Sequence, residues 1–166
     1  MKKLTLALLV FAACAFGASA QKFALVDMEY ILKNIPQYEM ANEQLNQLSQ
    51  RWQKEVEAKF KEAETLYKNY QADMVFLTDD QKKKKEEEIT TKEKEAIDLR
   101  NKYFGQDGEM TKKRQSLLKP IQDDVYNAVK KVSEEKGYQV IFDRASSTSI
   151  VFASPRIDVS NEVLSK

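Results

Sequence analysis

Residues 37–136 form one long stretch in which apolar side chains recur at helical spacing. The stretch contains one proline, Pro120, and two glycines, Gly105 and Gly108, among many Glu, Lys, Gln, Ala and Leu residues. This composition predicts helix far longer than an ordinary globular helix. In the first part, apolar residues separated by three or four positions share one helix face, at Leu45, Leu48, Trp52, Val56, Phe60, Ala63, Tyr67, Tyr70, Met74 and Leu77.

This apolar pattern stops after Leu77, where the sequence predicts a tight turn. Thr78 is a favourable N-cap, and Gln81 follows three residues later, as a capping box requires. We therefore predict one helix that ends near Leu77 and a second that starts near Asp79. The first would be about 60 Å long, and a return helix of similar length would complete an antiparallel helical hairpin.

The sequence of the return helix, which we call the return limb, predicts that the half of the hairpin nearest the turn is loosely packed. Its apolar residues keep a seven-residue spacing, but the positions between them are mostly polar, at Ile89, Ala96, Tyr103, Met110 and Leu117. Gly105 and Gly108 each weaken a helix interior by up to about 1 kcal/mol relative to alanine. The limb becomes rich in apolar residues again after Leu117, and Pro120 within that run predicts a kink or a helix junction.

Hydrogen exchange would test this prediction. We expect fast amide exchange from Thr78 to Ser116 and slow exchange from Pro120 to Lys136, because few apolar groups are available to bury the first segment. Uniform protection along the return limb would contradict the prediction.

Shorter elements are predicted on either side of the hairpin. Lys22–Asp27 has the pattern of a buried strand, and 28–34 can form two helical turns before Pro36 opens the long helix. After a helix stop at Lys136-Gly137, residues 138–143 and 150–153 predict two strands of a β-hairpin. Residues 158–166 predict a short terminal helix.

These elements predict an α+β protein, a long antiparallel α-helical hairpin on a small β-sheet base. A sheet of three short strands has edges and apolar faces that need a partner, which predicts an obligate oligomer whose subunits together form the base. The base would comprise 21–36 and 118–166, and the hairpin 37–117. The residues expected to build the oligomeric base are Phe23, Leu25, Val26, Val140, Ile141, Phe142, Ile150, Val151 and Phe152.

Residues 1–20 have the pattern of a secretory signal peptide. Lys2 and Lys3 precede an apolar run, and Ala18-Ser19-Ala20 supplies small residues before a cleavage point at Gln21. Two alternatives are an uncleaved membrane anchor and a lipoprotein processed at Cys14, which follows Phe11-Ala12-Ala13. Cleavage after Ala20 would leave residues 21–166 as one domain and change the formal net charge from +1 to −1.

The mature chain predicted in this way contains neither cysteine nor histidine. It therefore lacks a disulfide, a thiol nucleophile, an imidazole base and the preferred zinc ligands. The sequence also carries no glycine-rich phosphate loop and no nucleophile or metal motif, so we expect no cofactor, no metal and no enzymatic activity. No basic face stands out, and we expect no nucleic-acid binding.

Several short motifs, in their order and spacing, resemble those of the OmpH/Skp family of periplasmic chaperones. They are Phe23-Ala-Leu-Val-Asp27, Asn34-Ile-Pro-Gln-Tyr38, Leu118-Lys-Pro-Ile121, Gly137-Tyr-Gln-Val-Ile-Phe-Asp143, Phe152-Ala-Ser-Pro155 and Asp158-Val-Ser-Asn-Glu-Val-Leu164. The resemblance implies a homotrimer with a barrel-like β body and helical tentacles around a cavity. It also implies a periplasmic holdase, a chaperone that works without ATP and keeps unfolded outer-membrane proteins from aggregating.

On this reading, apolar residues of the hairpin are candidates for client binding. They are Trp52, Phe60, Tyr67, Tyr70, Met74, Phe76, Tyr103, Phe104 and Met110. The alternative for Trp52, Phe60, Tyr67 and Tyr70 is that they pack against the return helix.

The charge of the hairpin departs from the strongly basic family members. Residues 78–116 hold eleven basic and ten acidic residues, so a lipopolysaccharide-binding patch cannot be assigned. The run Lys82–Lys85 is either a solvated helix face or a charged tip that touches a client or an anionic lipid surface, a peripheral membrane contact. The alternative to a chaperone is a coiled-coil scaffold or adaptor of the cell envelope, which would require regular, well-packed heptads.

Overall fold

A computed structural model describes residues 22–147 and 149–166. The predicted signal peptide and Cys14 lie outside these residues. In chain order, the elements are β1 (Phe23–Val26), α1 (Met28–Lys33), α2 (Pro36–Asp73), a 3₁₀ turn (Met74–Phe76), α3 (Asp79–Phe104), α4 (Glu109–Lys136), β2 (Val140–Asp143), a 3₁₀ turn (Pro155–Ile157) and α5 (Ser160–Leu164).

The chain divides into two compact units. The hairpin unit is Ile35–Asp123, and the base unit comprises the described residues up to Asn34 together with Asp124–Lys166. The sequence boundary between them on the C-terminal side falls within α4.

The base unit is built on a two-stranded parallel sheet. Phe23 of β1 pairs with Val140 of β2, and the register continues to Val26 opposite Asp143. Ala24, Leu25 and Val26 are buried with Ile31, Val132, Val159 and Val163 from the surrounding helices and the segment before α5. The predicted strand at 22–27, the helix at 28–34 and the terminal helix are confirmed with slightly shorter bounds.

The predicted β-hairpin is wrong. β2 pairs with β1 rather than with 150–153, and those four residues form no strand in the described structure. Val151 and Phe152 are 97% and 84% exposed, so they have the composition of a strand, but no strand or core among the described residues covers them. The described sheet therefore has two strands instead of the predicted three.

Of the two alternatives predicted at Pro120, a kink or a helix junction, the junction is wrong. α4 continues through Pro120, and the return limb breaks at Gly105–Gly108 instead. A Cβ on Gly105 would lie 2.4 Å from the Asn101 carbonyl oxygen, and one on Gly108 would lie 2.8 Å from that of Tyr103. Backbone packed this closely requires glycine, whereas the helix around Pro120 is held by Leu118 and Ile121, which pack in an apolar cluster.

The predicted turn between the two limbs is confirmed. α2 ends at Asp73, and Thr78 caps α3 through a capping box in which the Thr78 backbone N–H donates to Gln81 Oε1 at 2.9 Å. The Gln81 backbone N–H donates to Thr78 Oγ1 at 3.4 Å. The C-terminal stop of α4 is confirmed as well, because Gly137 has a φ of 71°, a conformation favoured by glycine.

α2 and α3 carry a heptad seam, which we define by buried and half-buried positions that follow the repeat. In α2 these are Leu45, Ser49, Trp52, Val56, Lys59, Ala63, Leu66 and Tyr70, and in α3 they are Lys82, Lys85, Ile89, Lys92, Ala96, Leu99 and Tyr103; Leu48 and Phe60 are half-buried beside the repeat. Successive positions alternate between steps of three and four, a mean of 3.5. The predicted 3.6-residue stripe drifts away from this repeat, so Tyr67 and Met74 are exposed and Leu66 lies on the seam instead.

Nearer the start of α2, the hairpin unit has an apolar cluster without charged members. Ala41, Leu45 and Leu118 are buried, and four partly buried residues pack against them, namely Tyr38, Met110, Leu117 and Ile121. We call this set the proximal cluster.

Candidate interaction surfaces

An aromatic group joins α2 to the end of α3. The rings of Trp52 and Tyr103 are stacked, with centroids 4.7 Å apart, and Phe104 meets Trp52 edge-on at 6.4 Å. The Tyr103 hydroxyl donates to Glu55 Oε2 at 2.6 Å, and this hydrogen bond to a carboxylate raises the pKa of Tyr103. Trp52 and Tyr103 therefore pack between the limbs, while Phe104 stays partly exposed.

Phe60 and Tyr70 also serve packing between the limbs. The guanidinium of Arg100 lies 5.9 Å from the centroid of the half-buried Phe60 ring. Tyr70 is buried and donates from its hydroxyl to Glu86, a hydrogen bond that raises the pKa of Tyr70. Tyr67 does not share this role, because its ring is exposed and its hydroxyl accepts from Gln71.

The turn between the limbs carries an exposed apolar patch, here called the tip patch, formed by Met74, Val75 and Phe76. Val75 and Phe76 are 79% and 85% exposed. Met74 and Phe76 are among the predicted client-binding residues, but Val75 is not, although the unbroken apolar run from Met74 to Leu77 at the predicted end of the first helix was an available signal. Met110, by contrast, packs in the proximal cluster.

The lysines that follow the tip patch are partly neutralised by acids. Lys82 Nζ lies 3.8 Å from Asp79, and Lys85 Nζ lies 3.1 Å from Asp73 across the turn. This pairing reduces the net positive charge that Lys82–Lys85 could present to an anionic surface.

The base unit has its own exposed apolar surface. Phe23 and Phe142 are each about half exposed and meet edge-on with centroids 6.5 Å apart. Val140, Val151 and Phe152 are exposed as well, whereas Leu25 and Val26 belong to the core and Ile141 and Ile150 are half-buried. The predicted base residues thus divide into core residues and an outer surface, which we call the base patch (Phe23, Val140, Phe142, Val151 and Phe152).

An ion-pair network that sequence reasoning missed joins the segments of the base unit. Arg144 lies 3.0 Å from Asp27 Oδ2 and 3.2 Å from Asp158 Oδ2. Ser160 Oγ accepts from the Asp27 backbone N–H at 2.8 Å and donates to Asp158 Oδ1 at 2.6 Å. Only a partial signal was available, because the predicted strands end in Asp27 and Asp143 and Arg144 follows the second, but nothing nearby in the sequence indicated Asp158.

Asp143 supports the same region. Burial alone would raise its pKa, but the Ser146 side chain and the backbone N–H groups of Met28 and Ala145 donate to the carboxylate and hold its pKa below the ordinary value. The stability contributed by Asp143 is therefore present at neutral pH and is lost as the pH falls through this lowered pKa.

The described residues contain no group of three or more His, Cys, Asp or Glu side chains placed to hold a metal ion. Among the same residues, no helix combines the length and apolar character needed to cross a membrane.

A parallel sheet interrupted in sequence by a long antiparallel helical hairpin defines an α+β protein, as predicted. The family model for outer membrane protein (OmpH-like) matches residues 22–166. The chain belongs to the OmpH/Skp family, and the resemblance noted in the sequence is confirmed.

Two relatives illustrate the similarity. The chain is 27% identical to the chaperone protein Skp of Pectobacterium atrosepticum over 164 residues, which cover 94% of this chain and 91% of that protein. The crystal structure of an OmpH-like protein from Caulobacter crescentus CB15 has the same fold, with a TM-score of 0.68 at 12% identity. That match covers 86% of this chain and 81% of the Caulobacter chain.

Proposed function

We propose that this protein is a periplasmic holdase chaperone that binds unfolded outer-membrane proteins and prevents their aggregation without ATP. The observation that carries the proposal is the match of the OmpH-like family model to residues 22–166. The similarity to a chaperone protein Skp over nearly the full length of both proteins supports it.

The exposed surfaces suit such a function. Unfolded outer-membrane strands alternate apolar and polar residues and expose unpaired backbone, so they aggregate in water. The tip patch, Tyr67 and Phe104 offer separate apolar contacts on a hairpin that is otherwise densely charged. Separate weak contacts can hold a client and still release it without nucleotide hydrolysis.

We further propose that the protein is a homotrimer in which the base patches pack together and the hairpins enclose a cavity for the client. The base patch supports assembly, because large apolar side chains on the small sheet and in the segment after it remain exposed in the single chain. The signal peptide at 1–20 would deliver the chain to the periplasm, where residues 21–166 would act.

An aggregation assay tests the chaperone proposal. An unfolded outer-membrane β-barrel is diluted from denaturant into increasing concentrations of residues 21–166, without nucleotide. We expect suppression that saturates near one oligomer per client. Absence of suppression by a folded, oligomeric protein would reject the holdase and favour the envelope scaffold, for which a pull-down of folded envelope proteins is the next experiment.

The tip patch gives a prediction at the level of residues. Substituting Val75→Ser and Phe76→Ser together should weaken client binding about three- to tenfold, because two exposed apolar contacts are lost while little native packing is disturbed. The measurement is client affinity by fluorescence anisotropy, with circular dichroism as the check of folding. Tyr126→Ser, at an exposed position in the base unit, is the control. Equal client affinity of the unmodified protein, the tip-patch variant and the control would show that the tip patch does not bind the client.

A further inference from the structure

The seam between α2 and α3 contains lysines at positions where a stable coiled coil has apolar residues. Lys59 in α2 and Lys82, Lys85 and Lys92 in α3 all occupy half-buried heptad positions. A charged residue at such a position specifies register at a cost in stability. The regular repeat therefore defines how the limbs pair but stabilises that pairing only weakly.

A ring of four charges stands at the middle of the seam. Lys92 lies 3.2 Å from both Glu62 and Glu95, and Lys59 lies 3.4 Å from Glu62 and 4.0 Å from Glu95. All four side chains are between 27% and 45% exposed, so water and salt screen these pairs. The ring can align the limbs, but it adds little to the free energy that keeps them together.

Several further contacts across the seam are polar as well. The pairs Glu55–Tyr103, Tyr70–Glu86 and Asp73–Lys85 are hydrogen-bonded or ionic, whereas ring stacking joins the limbs at Trp52 and Tyr103, beside the end of α3. Between them, the buried apolar residues are few and mostly small, at Val56, Ala63, Ile89 and Ala96. The proximal cluster, in contrast, packs through apolar side chains alone.

The glycine break gives the weak segment a defined boundary. Gly105–Gly108 separates α3 from α4, and the Trp52–Tyr103 stack lies directly beside it. α3 can therefore leave α2 by a change of backbone at the break, while α4 and the proximal cluster keep their packing.

We propose that the distal hairpin, residues 52–104, opens along its seam as one unit and that the uncovered faces of α2 and α3 bind apolar segments of the unfolded client. This inference rests on the proposed function and extends the client site from exposed residues to residues hidden in the closed hairpin. The opened faces present Trp52, Val56, Ala63, Ile89 and Ala96 among lysines and glutamates. Such a surface is complementary to outer-membrane strands, in which apolar and polar residues alternate.

Closing the seam with apolar residues tests the proposal. The variant Lys59→Leu/Lys92→Leu fills two seam positions, and the control Lys61→Leu/Lys94→Leu makes the same chemical change at exposed positions of the same helices. In the seam variant, we expect amide exchange in 52–104 to slow at least about tenfold. We also expect the concentration for half-maximal suppression of client aggregation to rise about fivefold, with the control unchanged in both measurements.

A reversible cross-link provides an independent test, since residues 21–166 contain no cysteine. Glu62→Cys/Lys92→Cys joined by a reducible bis-maleimide locks the limbs together across the ring. Glu64→Cys/Lys68→Cys, joined by the same reagent within α2, is the control. We expect the cross-limb lock to lower suppression and reduction of the linker to restore it, with no such loss in the control.

The outcomes separate the two proposals. Full suppression by both the seam variant and the locked protein would overturn seam opening and leave the holdase standing. Absence of suppression by the unmodified protein and by the reduced form would overturn the holdase function, and the inference with it.

Discussion

Replacing Phe23 and Phe142 by serine is expected to convert the proposed oligomer into monomers. Both rings are about half exposed in the single chain and meet edge-on on the outer surface of the sheet. If this surface is buried between subunits, the exposed half of each ring contributes about 0.7–1.5 kcal/mol, and every subunit loses two such contributions. The dissociation constant should therefore rise at least about a hundredfold.

The mass measured by multi-angle light scattering is the readout, and circular dichroism verifies that the helices are retained. Val75→Ser/Phe76→Ser removes two exposed apolar residues in the hairpin unit and should leave the mass unchanged. An unaltered oligomer in the base variant would show that the base patch is not the interface. A monomeric mass for the unmodified protein would reject the oligomer altogether.

Arg144→Met is expected to destabilise the base unit by about 2 kcal/mol. The substitution keeps a long side chain but leaves Asp27 and Asp158 facing each other without the cation that both contact. Both carboxylates are only 22% exposed, so solvent compensates incompletely for the lost partner. Because Asp27 also caps α1, and Asp158 also accepts from Ser160, the effect should spread to both termini of the unit.

Urea denaturation measures this effect, with helix content followed by circular dichroism. We expect the variant to unfold at a lower midpoint concentration of urea, with a similar dependence of the unfolding free energy on urea concentration. Arg156→Met is the matched control, because Arg156 is exposed and forms no ion pair in the described structure. Equal midpoints for the two variants would mean that the Arg144 network does not hold the base unit together.

Several features of the hairpin could be predicted from short sequence patterns. The helical character of α2, the capping box at Thr78 and the stop at Gly137 are encoded within a few residues each, and all are present in the structure. The expected oligomeric state and client residues stay predictions, because each depends on a surface meeting a second molecule. The seam was predicted only in part. A stripe that repeats every 3.6 residues and a seam that repeats every 3.5 residues coincide at first and differ after several turns, so Tyr67 was predicted on the buried face where Leu66 lies.

Pairing of the sheet could not be predicted in the same way. β1 and β2 are adjacent in space although the whole helical hairpin separates them in sequence. Residues 150–153 have strand composition, yet no strand among the described residues pairs with them. The network around Arg144 likewise joins residues from three distant segments, so no local pattern specified it.

The sequence by itself determined the α+β class, the helical hairpin, its turn and the membership of the OmpH/Skp family, because helix periodicity, caps and ordered motifs are local properties. Only the tertiary structure decided the parallel pairing of the strands, the break at Gly105–Gly108, and which apolar residues are packed and which are exposed. These features depend on contacts between segments far apart in the chain, where long-range packing overrides local propensity.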